Sequence, residues 1–184
     1  MKVLIACEFS GVVRDAFKER GHDAISCDLL PSETEGKHII GDVLEVIRSE
    51  SFDLMIAHPP CTHLAVSGAK WFKEKRADGR QQDALRFVQE LLDAPIPHIA
   101  LENPVSVISS YIRKPDQYIQ PYQFGHGETK KTGLWLKNLP LLQPTNEVEG
   151  RKPVIHMMAP SPNRWRERSR TYQGIAQAMA SQWG

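Results

Sequence analysis

MKVLIACEFSGVVRDAFKERGHDAISCD, residues 1–28, is the stretch that decides the fold. Residues 2–7 read as a strand, apolar throughout after Lys2, and the run stops at Glu8-Phe9-Ser10-Gly11. Apolar runs of roughly 4–8 residues without alternation mark strands buried on both faces. Residues 12–21 read as a helix ended by Gly21, and residues 22–28 as a second strand. A strand, a glycine turn, a helix and a second strand make the opening of a parallel, doubly wound α/β sheet.

The pattern continues outward. Residues 38–42 predict a short third strand, 42–50 a helix and 52–57 a fourth strand. Residues 62–80 are polar and basic with no clear period, and they predict a long functional loop. An amphipathic helix over 81–94 and a buried strand over 98–103 follow. Residues 119–124 and 133–137 predict an antiparallel hairpin at the far edge. Residues 140–164 hold five prolines and predict an irregular crossing, before a last helix over 169–183. With 184 residues and no internal repeat, one domain spanning 1–184 is expected.

Composition narrows the function. An apolar fraction of 41% and a charged fraction of 24% are those of a globular protein, and no apolar run approaches a membrane span. The apolar start is too short for a signal peptide. Three cysteines without metal-like pairing argue for a reducing, cytoplasmic setting. Net charge is +1 but unevenly placed: residues 1–69 carry six Lys/Arg against eleven Asp/Glu, and residues 126–184 nine against four. An acidic half suits a cationic cofactor, and a basic half suits a polyanion.

Ligands of open α/β sheets bind beyond the carboxyl ends of the strands. Those ends carry Glu8, Phe9, Ser10 and Gly11, then Asp28 and Leu29, then Asp42 and Val43, then His58-Pro59-Pro60-Cys61, then Glu102-Asn103. Gly11 lets a ligand approach the backbone and opens a helix whose N–H groups suit a carboxylate. Asp28 suits ribose hydroxyls, and Asp42 an adenine amino group. Cys61, stiffened by two prolines, is a candidate nucleophile if nearby cations lower its pKa. Glu102, at the end of an apolar strand, is expected to have a raised pKa and to donate a proton. Cys7 and Cys27 read as small buried hydrophobes inside strands.

Together these segments resemble the cytosine-C5 DNA methyltransferase family. CEFSGVVRDAF is similar to its cofactor loop, CDLLP and GDVLEV to its next two cofactor motifs, and HPPCTHLAVSG to its Pro-Cys motif and mobile loop. LENPVS is similar to its Glu-Asn motif, and SRTYQGIAQAMA more loosely to its closing helix. The resemblance implies the Rossmann-like fold of class I methyltransferases, with S-adenosyl-L-methionine as cofactor and DNA as partner. It implies that Glu8 to Gly11, Asp28, Leu29, Asp42, Val43 and Pro59 hold the cofactor, and that no metal takes part. Cys61 would add to C6 of an unstacked cytosine, Glu102 would protonate N3, and C5 would take the methyl group. Pro60 would shape the loop and Asn103 would position the strand end. Ser67, Lys70 and Lys73 on the mobile loop would meet nucleic acid.

Three departures accompany the likeness. Val12-Val13 stand where the family carries a second glycine. Its Gln-x-Arg-x-Arg motif is missing, and Lys130, Lys131 and Thr132 occupy that place. No separate target-recognition domain is expected; residues 138–168 offer Arg164, Arg166 and Arg168 beside Trp165. The size is similar to that of minimal methylase-like proteins of phages and prophages. Alternatives stay open: a non-catalytic nucleic-acid-binding protein on this fold, an enzyme acting on RNA or a free pyrimidine nucleotide, or one relying on a specificity partner protein. A metal site from His58, Cys61 and His63 lacks a fourth ligand.

Overall fold

The computed structural model describes residues 1–184 apart from the side chain of His156. In chain order the elements are β1 (Lys2–Ala6), α1 (Val12–Glu19), β2 (Asp23–Asp28), β3 (His38–Ile40), α2 (Val43–Ser49) and β4 (Leu54–Ala57). A 3-10 turn (Val66–Trp71), α3 (Phe72–Ala77), α4 (Arg80–Leu92), β5 (His98–Pro104) and α5 (Ile108–Tyr111) follow. The chain continues with β6 (Gln117–Ile119), β7 (Thr132–Lys137), α6 (Val154–Met157), α7 (Arg164–Ser169) and α8 (Gln173–Trp183). The seven strands form one sheet in the order β3-β2-β1-β4-β5-β7-β6. The first five are parallel; β7 runs antiparallel to β5, and β6 antiparallel to β7. This is the α/β, Rossmann-like methyltransferase fold.

The period of a strand explains the two cores. Val3 and Ile5 of β1 face α1 and α8, where they meet Val13, Phe17, Ala176 and Met179. Leu4 and Ala6 face the other way, toward Val46 and Ile47 of α2 and Val88 and Leu91 of α4. Val3, Leu4, Ile5 and Ala6 are all fully buried, so a sheet covered on both faces demands apolar residues at every strand position. Each large aliphatic side chain buried there contributes about 1.5–3 kcal/mol.

Three segments differ from the sequence-based expectation. Residues 62–80 are largely helical rather than a loop: Lys75 is buried and donates to the Thr62 carbonyl at 2.6 Å, and Gln81 to the His63 carbonyl at 3.1 Å. These long-range polar anchors leave no periodic trace in the sequence. The outer strand of the hairpin is Gln117–Ile119, because Pro121–Gln123 turn into a 3-10 helix. Cys7 lies beyond β1 with φ 58, the left-handed region, where the chain swings from the strand toward Gly11. All three cysteines are free. Among the described residues, no helix is long and apolar enough to cross a membrane.

Candidate active site

Two of the cavities at the carboxyl rim of the sheet bring together most of the candidate residues. The first, of about 320 Å³, is lined by Cys7, Cys27, Asp28, Leu29, Gly41, Asp42, Val43, Pro60 and Phe87. Its walls are mostly carbon, with two carboxylates at the mouth. Asp28 accepts from Leu30 N at 3.0 Å, and Asp42 caps α2 by accepting from Leu44 N at 2.9 Å. One oxygen of each carboxylate is thereby fixed, and the other remains available to a ligand. Burial, reinforced by the nearby carboxylates, pushes the Cys27 thiol up to about 11 and the Cys7 thiol higher still. Both cysteines therefore serve as neutral wall. Leu29 is 76% exposed at the edge of the opening, while Phe87 of α4 was not found from sequence because helical spacing alone makes it a core residue.

The start of α1 differs from the expectation of a vacant anion site. Glu8 is buried and accepts from Val13 N at 2.7 Å and Arg14 N at 3.2 Å, so it fills the first turn of the helix itself. Ser10 is buried too and donates its hydroxyl to Glu8. Phe9 packs under Trp165 with ring centroids 5.8 Å apart, and the Arg166 guanidinium lies 5.7 Å from its centroid. Arg14 is fully buried and donates to Ser26, Ser32, Thr34 and the Glu35 carbonyl, which ties the 32–36 loop down onto α1. Gly11 has φ +77, and a Cβ there would collide with Thr34 Oγ1 and the Arg14 guanidinium.

The second cavity, of about 230 Å³, contains Cys61, with Ala65, Val66, Ser67, Pro104, Val105, Lys130, Lys131, Ile155 and Arg168. Its loop is pinned to the end of β5. Asn103, buried, donates to the Pro59 carbonyl at 3.0 Å, Val66 N to the Val105 carbonyl, and Val107 N to the Leu64 carbonyl. Pro60 lines the first cavity and Cys61 the second. Successive α-carbons are about 3.8 Å apart, so the two cavities meet at one peptide bond.

The electrostatics of this second cavity reverse two expectations. Burial, with Glu102 nearby, pushes the Cys61 thiol up, and Lys130 and Arg168 only partly offset that. Burial also works against the charge on Glu102. The His58 hydrogen bond, at 3.0 Å from Nδ1 to Oε2, overcomes that burial with help from Lys130 and holds the carboxyl below its ordinary value. The pairing partner missing from the sequence reading was His58; a histidine beside Pro-Pro-Cys suggested a metal, not a carboxylate 44 residues away. Among the described residues no group of metal-ligating side chains is found.

The basic residues divide. Lys130, Lys131 and Ser67 line the Cys61 cavity, and Arg168 and Ile155 join them from the C-terminal segment. Thr132 is buried on β7 and donates to the Lys130 carbonyl, fixing the turn before the strand. Lys70 lies 5.1 Å from the Trp71 ring centroid and Lys73 is exposed on α3, both outside the cavity lining. Arg166 instead sits over Phe9 and faces Glu33 at 3.6 Å, and Arg164 Nε is buried without a hydrogen-bond partner among the described residues.

No family model and no curated protein matches the chain in sequence. Among solved structures, the chain is similar to the crystal structure of a candidate DNA modification methyltransferase encoded within an E. coli prophage. The two are 16% identical with a TM-score of 0.50, and the match covers 81% of this chain. The chain spans about half of that structure, 53% of its length. At this identity the likeness speaks for the fold.

Proposed function

We propose that the protein transfers a methyl group from S-adenosyl-L-methionine to C5 of a cytosine, most naturally in DNA, with Cys61 as nucleophile. The observation that carries this reading is the pair of cavities meeting at the Pro60–Cys61 bond, one apolar with two carboxylates, the other basic around a thiol. The fold shared with the prophage methyltransferase-like protein supports the methyl-transfer part of this reading.

The first cavity fits the cofactor by its chemistry. Leu29, Val43, Pro60 and Phe87 give apolar faces for a purine, and Asp28 and Asp42 give acceptors for ribose hydroxyls and an amino group. S-adenosyl-L-methionine, when bound, supplies an electrophilic methyl group. Cys61, having lost its proton to water, bonds through sulfur to C6 of the base, while Glu102, a carboxylate at rest, takes up a proton from a neighbouring donor and passes it to N3. The electron pair gathered at C5 takes the methyl group. The C5 proton then leaves to water, and the Cys61–C6 bond breaks as N3 returns its proton. Lys130 and Arg168 favour the thiolate against burial, and with Lys131 they suit the phosphate of a nucleotide.

The testing experiment is methyl transfer from labelled cofactor to duplex DNA, single-stranded DNA, RNA and free cytosine nucleotides. Label at C5 that is lost in Cys61→Ser is the expected result. Cofactor binding without a labelled acceptor would favour a non-catalytic nucleic-acid-binding protein on this fold.

A further inference from the structure

His58 stands between β4 and the Pro59-Pro60-Cys61 turn, and the chemistry above gives it no part. Its side chain is 8% exposed, and Nδ1 lies 3.0 Å from Glu102 Oε2. A charged carboxylate can only accept, so the contact requires Nδ1 to donate. Nε2 is buried and has no hydrogen-bond partner among the described residues. His58 is also one wall of a cavity of about 40 Å³ shared with Cys7, Glu8, Phe9, Ser10, Ser169 and Thr171. The titratable and charged groups around it are Glu102 on β5, Cys7 and Glu8 after β1, Cys61 on its own turn, and Lys130 and Arg168 acting on Glu102 and Cys61.

Resting on the methyl-transfer reading, we infer that His58 is a positioning residue for Glu102 and holds the proton that Glu102 passes to the acceptor base. In the resting pair one transferable proton sits between imidazole and carboxylate. As sulfur bonds to C6, the Nδ1 proton of the imidazolium moves to Oε2 and passes from the Glu102 carboxyl to N3, leaving a neutral imidazole and a carboxylate. When the sulfur–C6 bond breaks, N3 returns its proton by the same path. The pair gains and loses no proton over the cycle.

Two measurements on the full chain test this. The first follows the His58 imidazole by NMR without any acceptor, its signals assigned by their loss in His58→Asn. The Nδ1–H signal in Glu102→Gln is expected to move from its wild-type position, because the carboxylate acceptor is lost; an unmoved signal overturns the coupling. The second compares kcat against pH for the wild type and His58→Asn, whose side-chain amide donates where Nδ1 did and so preserves a structural role. Cys61 must be deprotonated and the acid protonated, which gives each profile a maximum. His58→Asn leaves Glu102 to carry the proton alone and is expected to lose roughly 10–100-fold in kcat, to keep both KM values, and to reach its maximum at a different pH. A variant that keeps the rate and the position of the maximum overturns the proton-holding role. A wild type that labels no acceptor although the Nδ1–H signals differ overturns the methyl-transfer reading instead.

Discussion

The two cavities share the Pro60–Cys61 bond but are assembled in opposite ways. The walls of the first are the residues just after successive strands, Cys7, Asp28, Leu29, Gly41 and Asp42, with Phe87 the one distant addition among those that line it. The second collects Cys61, Ala65 to Ser67, Pro104, Val105, Lys130, Lys131, Ile155 and Arg168, drawn from about a hundred residues of chain. A site made of consecutive βα turns inherits its geometry from the sheet. A site made of scattered loops depends on polar ties such as Asn103 to Pro59 and Lys75 to Thr62. Substitutions should therefore divide cleanly, the first side affecting cofactor affinity and stability, the second affecting transfer.

Cys61→Ser should show the widest separation. Methyl transfer is expected to fall by about 1,000-fold or more, because a serine hydroxyl is a far weaker nucleophile without a dedicated base. Cofactor affinity by calorimetry should stay within about twofold, since Cys61 faces the other cavity. Outside both cavities, Arg14→Met should cost about 3–5 kcal/mol in urea unfolding, because the acceptors around the guanidinium lose a buried charged partner. Exposed Lys131→Ala on the second side should cost less than about 0.5 kcal/mol.

Lys130→Met should lower kcat by roughly tenfold and move the rate–pH curve to higher pH. The sign follows from the thiol: Lys130 lowers the Cys61 pKa, so its removal leaves burial and Glu102 less opposed and the thiolate forms later. Asp42→Asn should separate stability from cofactor binding. Asparagine caps a helix about as well as aspartate, so stability is expected to change by less than about 0.5 kcal/mol. Loss of one charged acceptor should weaken cofactor binding by about tenfold, measured by calorimetry. Equal losses of transfer and cofactor affinity in every variant would mean the cavities are not separate.

Much of the sheet was legible because its strands are buried on both faces. Val3 to Ala6, Leu54 to Ala57 and Ile99 to Leu101 carry no polar residue, and the rim residues follow from where those runs stop. Asp28, Asp42 and Cys61 could be placed at the rim in that way. Their local partners could not. Glu8 precedes the glycine turn like a ligand-facing residue, yet its carboxylate caps α1, a choice that depends on how Gly11 turns the chain. His58 and Glu102 meet because β4 pairs with β5 in parallel register, a contact that no spacing along the chain announces. Arg168 reaches the Cys61 cavity while Arg166, two residues earlier, turns to Phe9; only the placement of α7 decides which arginine arrives.

The most direct measurement is capture of the Cys61 adduct. DNA carrying 5-fluorocytosine would be incubated with the protein and S-adenosyl-L-methionine, then digested and examined by mass spectrometry. Fluorine at C5 cannot leave as a proton does, so addition and methyl transfer proceed and release stalls. The account predicts a methylated fluorocytosine bonded to the peptide containing Cys61, formed only with cofactor and absent in Cys61→Ser. No adduct at Cys61, with unmodified DNA methylated at cytosine C5 in the same preparation, would contradict it.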